Sequence, residues 1–426
     1  MRNANPKVIQ VFADWETLEN APQLVGTLTA APSRGREIFS FEYNPFWLEG
    51  AGQLLLDPAL QMYEGQQYPK DEQLNFGMFT DSCPDKWGRF LMKRREALRA
   101  REEGRDIQPL RESDYLLGVY DQNRSGALRF CLDPDGPFLD NNREYATPPW
   151  TALRELESAS NGMEKAGAEK NINYSRWLQM LIAPGGSLGG ARPKAGVVDI
   201  DGHLWIAKFP SQGDGRDWGI WELLVLRMAQ IAGIDVSPSE ARLFRPNRHT
   251  FLTKRFDRTE RGGRIHYASA MTMLGRNDGE DAFSGASYLE IAEFLMKYGA
   301  SPDRDLEQLW RRIVFNICVS NTDDHLRNHG FLLSPHGWRL SPAFDMNPDP
   351  DGDGLKLNIS ESENAQDFDI VMEVINYFRL SSDKAHSVLN EVVNAVRGWR
   401  NAARSYKIRS AEIEEMAPAF RLVAPQ

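Results

Sequence analysis

Short apolar runs separated by turn formers dominate the start of the chain. Residues 8–12, 24–29 and 37–43 are rich in aromatic and β-branched side chains and are bounded by Pro, Gly and Asn, a pattern that predicts strands. A helical period follows, with Ser82 as the expected cap and Pro84 in the first turn. Trp87, Phe90, Leu91, Arg94 and Leu98 carry it to an end near Gly104. Residues 133–137 and Asn141-Asn142 read as loop, and Thr147-Pro148-Pro149-Trp150 opens a new region. There the pattern is mixed: a helix over 151–158, then a polar Gly, Lys and Glu stretch over 162–173. Residues 197–200 and 204–209, joined at Asp201-Gly202, read as a hairpin. Residues 218–231 are apolar on most sides and predict a buried helix, and 251–256 a further strand. After Ser287, helices are expected over 288–298, 306–319, 387–399 and 411–420. The order predicts an α+β chain in three parts, 1–149, 150–256 and 257–426, with a cleft between the last two.

Composition narrows the partners. A net charge of −10 argues against broad, non-specific DNA binding by the whole chain. The three cysteines, Cys83, Cys131 and Cys318, are too scattered for a metal cluster or a disulfide framework, and are expected to be buried thiols of a reducing cytoplasm. The first fifteen residues lack the apolar core of a signal peptide, and no run of about 18 apolar residues predicts a membrane span.

Several segments carry candidate chemistry. Asn321-Thr322-Asp323-Asp324-His325-Leu326-Arg327-Asn328 ends an apolar helical run and sets an aspartate five residues before an asparagine; Asp345 follows in Ser341-Pro342-Ala343-Phe344-Asp345. Phosphoryl transfer calls for these parts: a carboxylate to orient a hydroxyl, and an amide oxygen and second carboxylate for Mg²⁺. Helix capping explains the same polar cluster, and both readings stand at this point. Gly185-Gly186-Ser187-Leu188-Gly189-Gly190 could bring backbone N–H groups up to phosphates, or could be a flexible link. It matches neither a Walker A loop nor a dinucleotide fingerprint. Lys208 in the apolar strand 204–209 and Glu222 in the apolar helix 218–231 are each out of place unless paired with an opposite charge. Residues 251–258 could offer backbone groups to an adenine or be an exposed strand end. Asp349, Asp351 and Asp353 imitate a calcium loop, but Ser360 stands where a bidentate Glu is needed. His325, His329 and His336 make no zinc motif. Arg397, Arg400, Arg404, Lys407 and Arg409 read as a solvated face.

Taken in order, Ser187-Leu188-Gly189-Gly190-Ala191-Arg192-Pro193-Lys194, Lys208-Phe209-Pro210, Arg255-Phe256-Asp257-Arg258, Asn321-Thr322-Asp323 with His325 and Asn328, and Phe344-Asp345 resemble the HipA family of bacterial serine/threonine kinases, toxins of type II toxin–antitoxin modules. Pro84-Asp85 and Gly88-Arg89 match a further family segment. The resemblance implies a bilobal protein-kinase-like core, with a mixed α/β N-lobe and a helical C-lobe, behind an N-terminal β-rich subdomain. It implies Asp323 as the catalytic base and Asn328 and Asp345 as Mg²⁺ ligands. ATP would meet Gly189, Gly190, Ala191, Arg192, Pro193, Lys194, Lys208, Glu222, Lys254, Arg255, Phe256, His325, Asn328 and Phe344. Ser187 is the implied autophosphorylation site. The implied partners are a small helix-turn-helix antitoxin like HipB, operator DNA through it, and a protein substrate such as an aminoacyl-tRNA synthetase. Asp324 departs from the family pattern, where a small residue is common. A small-molecule kinase of the antibiotic-phosphotransferase type and a catalytically silent repressor partner are the alternatives.

Overall fold

The computed structural model describes residues 5–50, 54–70, 73–143, 146–182, 190 and 192–423. The chain divides into two compact units, Met1–Gln212 with Asp257–Ala268, and Gly213–Phe256 with Ser269–Gln426.

In the first unit, β1 (Lys7–Ala13), β2 (Gln23–Ser33), β3 (Arg36–Tyr43) and β4 (Leu128–Cys131) form an antiparallel sheet in the order β3-β2-β1-β4. Alternation decides its faces: Ile9, Val11 and Ala13 are buried while Val8 is exposed. Gly26 must be glycine, because a Cβ there would lie 2.2 Å from the Glu42 carbonyl oxygen. Helices α1 (Pro45–Gly50), α2 (Gly77–Asp81), α3 (Lys86–Glu102), α4 (Glu112–Leu117), α5 (Leu153–Met163) and α6 (Tyr174–Ile182) complete most of this unit. Phe79 of α2 joins its core to the sheet, with ring centroids 5.6 Å from Phe41 and 5.9 Å from Phe130.

The expected Ser82 cap is corrected. Ser82 closes α2, donating its hydroxyl to the Met78 carbonyl, and Asp85 caps α3 by accepting from Gly88 N at 2.7 Å. Pro84 therefore precedes the helix. Helix α6 was not expected, although Tyr174, Leu178 and Leu181 are buried at helical spacing.

Asp57 lies in this core and accepts from the Ala59 and Met78 amides at 2.8 and 2.9 Å. Burial pushes its carboxyl up to about 6, despite those amide bonds. A folded pKa above the unfolded value favours the protonated fold, so this contribution is complete below about pH 4 and is lost as pH rises through 6. Between pH 5 and 7.5 the wild-type chain should lose about 1–2 kcal/mol that an Asp57→Asn variant does not. Urea midpoints of both proteins at the two pH values check this; equal pH slopes would contradict it.

The hairpin appears as β5 (Lys194–Val198) and β6 (Leu204–Lys208), in antiparallel register from Lys194↔Lys208 to Val198↔Leu204. Its turn is longer than the two residues expected. The Asp199 carboxylate holds it, accepting from the amides of Asp201 and His203 at 3.0 and 2.8 Å and from Trp205 Nε1 at 2.8 Å. Ile200 is consequently exposed in the turn rather than part of a strand.

The second unit begins with α7 (Trp218–Ile231), as expected, and the hairpin of β7 (Ser239–Arg245) and β8 (Arg248–Lys254). The α7 residue Trp221 is fully buried and donates to Glu412 Oε1 at 2.9 Å. The short β9 (Tyr267–Ser269), whose first two residues belong to the first unit, leads into α8 (Ala270–Met273). Then come α9 (Tyr288–Tyr298), started by a Ser287–Glu290 capping box, and α10 (Pro302–Val319), with proline in its first turn. A hairpin of β10 (Gly330–Ser334) and β11 (Gly337–Leu340) interrupts the expected run of helices. The unit continues through α11 (Phe368–Glu373), α12 (Ser382–Arg397), α13 (Trp399–Ser405) and α14 (Ser410–Met416). The basic run there is a solvated face with acidic partners: Arg400 pairs with Glu414 and Arg409 with Glu412.

All three cysteines are free and buried, and burial pushes the Cys83 thiol up to about 12. Among the described residues no helix is long and apolar enough to cross a membrane.

Candidate active site

Within the second unit, α10 ends where Ser320 turns left-handed at φ 50°, and the chain enters the loop that carries Asn321 to Asn328. Neighbouring aspartates take opposite environments there. Asp323 is exposed, whereas Asp324 is 3% exposed. The amide nitrogen of Asn328 donates to the Asp323 carbonyl at 3.0 Å, closing the five-residue step into one loop. That bond uses the nitrogen of the Asn328 side-chain amide and leaves its oxygen as the group that can accept or ligate. His325 stands between them, its backbone N–H on the Asp323 carbonyl at 2.9 Å and its carbonyl accepting from Asn328 N at 2.8 Å.

Asp324 supports the loop from beneath. Its Oδ2 accepts from Tyr288 Oη at 2.7 Å and Asn316 Nδ2 at 2.6 Å, and meets His329 Nε2 at 2.7 Å. Burial pushes this carboxyl up, but the charge of His329 and the hydrogen bonds of His329 and Tyr288 outweigh it and hold it below its ordinary range. Asn316 is shared: its oxygen accepts from Asn321 Nδ2 at 3.1 Å, and Asn321 Oδ1 in turn accepts from Asn347 N at 3.4 Å. A polar chain thus runs from the loop to the segment of Asp345.

Asp345 is itself left-handed at φ 58°, a costly conformation for a residue with a Cβ, and one typical of functional positions. The preceding Phe344 packs on Phe256, ring centroids 5.5 Å apart. Lys254 N is occupied by the Pro238 carbonyl at 2.9 Å, and Arg255 is buried just beyond β8. Glu222 is buried within α7. The Asp349 carboxylate accepts from Thr322 Oγ1 and the Asp351 amide. A cavity of about 460 Å³ lies beside Thr322, lined also by Asp281, Phe283, Asp353, Lys356 and Asn364.

In the first unit, Gly190 is exposed at φ 104°, and a Cβ there would lie 3.1 Å from Lys194 Nζ. Lys194 is 3% exposed, with Nζ 3.0 Å from Asp85 Oδ2, and its carbonyl accepts from Trp87 Nε1 at 3.0 Å. The lysine expected at phosphates therefore already holds a carboxylate. Lys208 stands opposite it across β5 and β6, so both side chains leave the same face of the hairpin. Opposed like charges call for nearby anions, and Asp85 is one of them. Arg192 is half-buried, and the buried Pro193 accepts from Phe209 N at 2.9 Å. Ser187, Gly189 and Ala191 lie outside the described residues.

The structure thus gathers Asp323, His325 and Asn328 in one loop, links that loop to the Asp345 segment, joins Phe256 to Phe344, and sets Lys194 beside Lys208. Sequence reading missed Tyr288, Asn316 and the role of His329. Only Asn316, a polar residue inside an apolar helical run, left a signal.

A family model described as the HipA-like C-terminal domain matches residues 186–399. A putative kinase of Sinorhizobium fredii, Y4mE, is 30% identical over 182 residues, 38% of this chain and 41% of that protein. A putative kinase of Haemophilus influenzae is 24% identical over 213 residues, 44% of this chain and 62% of that protein. The chain spans less than two thirds of either relative. A chain of the Shewanella oneidensis toxin–antitoxin complex of HipA, HipB and operator DNA superposes with a TM-score of 0.66 at 15% identity, covering 97% of this chain and 95% of that one. At that identity the likeness establishes the fold, which is α+β as expected.

Proposed function

This chain belongs to the family of the HipA-like C-terminal domain, and from that premise we propose that it is an ATP- and Mg²⁺-dependent protein serine/threonine kinase, the toxin of a type II toxin–antitoxin module. The observation that carries the reading is the closed loop in which exposed Asp323 is tied to Asn328. Asp323 orients a substrate hydroxyl and takes its proton, which requires a carboxylate open to the acceptor side. Asn328 and Asp345 would hold Mg²⁺: both offer oxygens, as a hard cation requires, and the Asn328 amide spends its nitrogen, not its oxygen, on the loop. When bound, the ion neutralises charge on the transferred phosphate.

Residues 189–194 and Lys208 serve the phosphates of ATP, with Glu222 as the expected counter-charge of that lysine. Residues 254–256 and Phe344 serve the base. On this reading residues 1–149 form the N-terminal subdomain, 150–256 the N-lobe and 257–426 the C-lobe. Ser187 is the autophosphorylation site, where about −1.5 to −2 added charges would repel the phosphates of ATP. The partner is a small helix-turn-helix protein that carries the complex to operator DNA. The substrate is a cytoplasmic protein, with an aminoacyl-tRNA synthetase as the first class to test.

Induced expression of the chain should arrest growth, and co-expression of a helix-turn-helix protein encoded beside it should relieve the arrest. The Asp323→Asn variant should be harmless while still binding that partner. Arrest by Asp323→Asn equal to that of wild type would contradict a toxin that works by phosphorylation.

A further inference from the structure

The buried network behind the loop has no part in the chemistry just described. We propose that Asp324 is the positioning residue of the catalytic loop, locking base and metal ligand into one geometry through His329, Tyr288 and Asn316; this rests on the kinase reading of the same loop. Asp324 is adjacent to Asp323, and His329 is adjacent to Asn328. Their side-chain contact at 2.7 Å therefore clamps both ends of the segment that holds the base and the metal ligand. Neither clamp residue can reach substrate, since Asp324 is 3% and His329 2% exposed.

The clamp is anchored on two helices. Tyr288 opens α9 and Asn316 lies in α10, and both bond to the same carboxylate oxygen that meets His329. Tyr288 also packs edge-on against the His329 ring, centroids 5.6 Å apart. The second oxygen-to-amide relay, Asn316 to Asn321 to Asn347, carries the constraint on to the strained Asp345 segment. A carboxylate that gathers three buried donors is a specific device, because removing it strands all three. A small residue at this position would need a different partner for the ring at 329.

The test uses the full chain with Asp324→Ala, His329→Phe and the double variant, and Asp323→Asn as control. In steady-state phosphoryl transfer, Asp324→Ala should lower kcat about 100-fold, the usual cost of displacing a catalytic group by about 1 Å. Its Mg²⁺ requirement should rise. The double variant, which removes the stranded imidazole and keeps a ring against Tyr288, should be more active than Asp324→Ala alone. Hydrogen exchange gives a readout that needs no activity: in Asp324→Ala, amides of residues 322–330 should exchange at least tenfold faster, with α12 unchanged. Wild-type kcat and Mg²⁺ dependence in folded Asp324→Ala, while Asp323→Asn is dead, would overturn the clamp and leave the kinase reading standing. Unchanged exchange in the loop would overturn it also in a chain without measurable transfer. If Asp323→Asn is fully active, the assignment of Asp323 as base fails, and exchange alone then decides whether the clamp exists.

Discussion

Asp323→Asn is expected to remove phosphoryl transfer and to leave the fold intact. The side chain is exposed, and the contacts of this residue within the loop are made by its backbone carbonyl, which the substitution retains. An amide of the same shape can still touch a hydroxyl but cannot take its proton. General-base catalysis contributes about 10²–10⁴-fold, so transfer should fall by about that factor, with a melting temperature close to wild type. The adjacent position should behave oppositely. Asp324→Asn alters a buried oxygen with three partners and should lower stability as well as rate. Purified variants assayed for transfer and for melting separate the two. Full activity in Asp323→Asn would place the base elsewhere.

The second large effect is on stability. Asp85 both caps α3 and faces the ammonium of Lys194, each group almost fully buried. Asp85→Ala should cost about 3–5 kcal/mol, because removing one partner of a buried pair leaves the other charge without its carboxylate. Loss of the cap adds about 1 kcal/mol. Pairing it with Lys194→Met should recover much of the loss, since the stranded charge goes too. Urea denaturation of the two single variants and the double closes the cycle. A small, additive loss would mean that water already solvates the pair. The same pair ties Pro84-Asp85 and Gly88-Arg89 into one structural segment. Asp85 needs the close amide of Gly88, and Arg89 forks onto Glu112 at 2.7 and 2.6 Å to hold α3 against α4.

What was legible in the sequence was what local physics decides. Helices α7 and α9 begin and end as expected: α7 is apolar on most sides, and the Ser287 and Glu290 side chains of the α9 capping box stand three residues apart. Choices between equally able neighbours were not legible. Ser82 and Asp85 can both cap, and the structure uses Asp85 because Ser82 is needed to close α2. The Asp201-Gly202 turn was placed correctly but drawn too tight, because a side chain, Asp199, organises it. Strands β4 and β11, of four residues each, carry too little pattern to find. For the candidate site, spacing drew attention to Asp323, Asn328 and Asp345, and the family resemblance gave them their expected roles. Their support could not be seen, because Tyr288 and Asn316 come from 36 and 8 residues before Asp324 and meet it only through packing.

The most direct test of the central claim is to incubate the purified chain with Mg·ATP carrying a labelled γ-phosphate, alone and with cell extract, and to identify by mass spectrometry where the label goes. A protein kinase of this kind should place it on serine or threonine of another protein and, more slowly, on Ser187, with none transferred by Asp323→Asn or without Mg²⁺. Label found only on small hydroxyl compounds, or no transfer at all by a folded wild-type chain, would contradict the account.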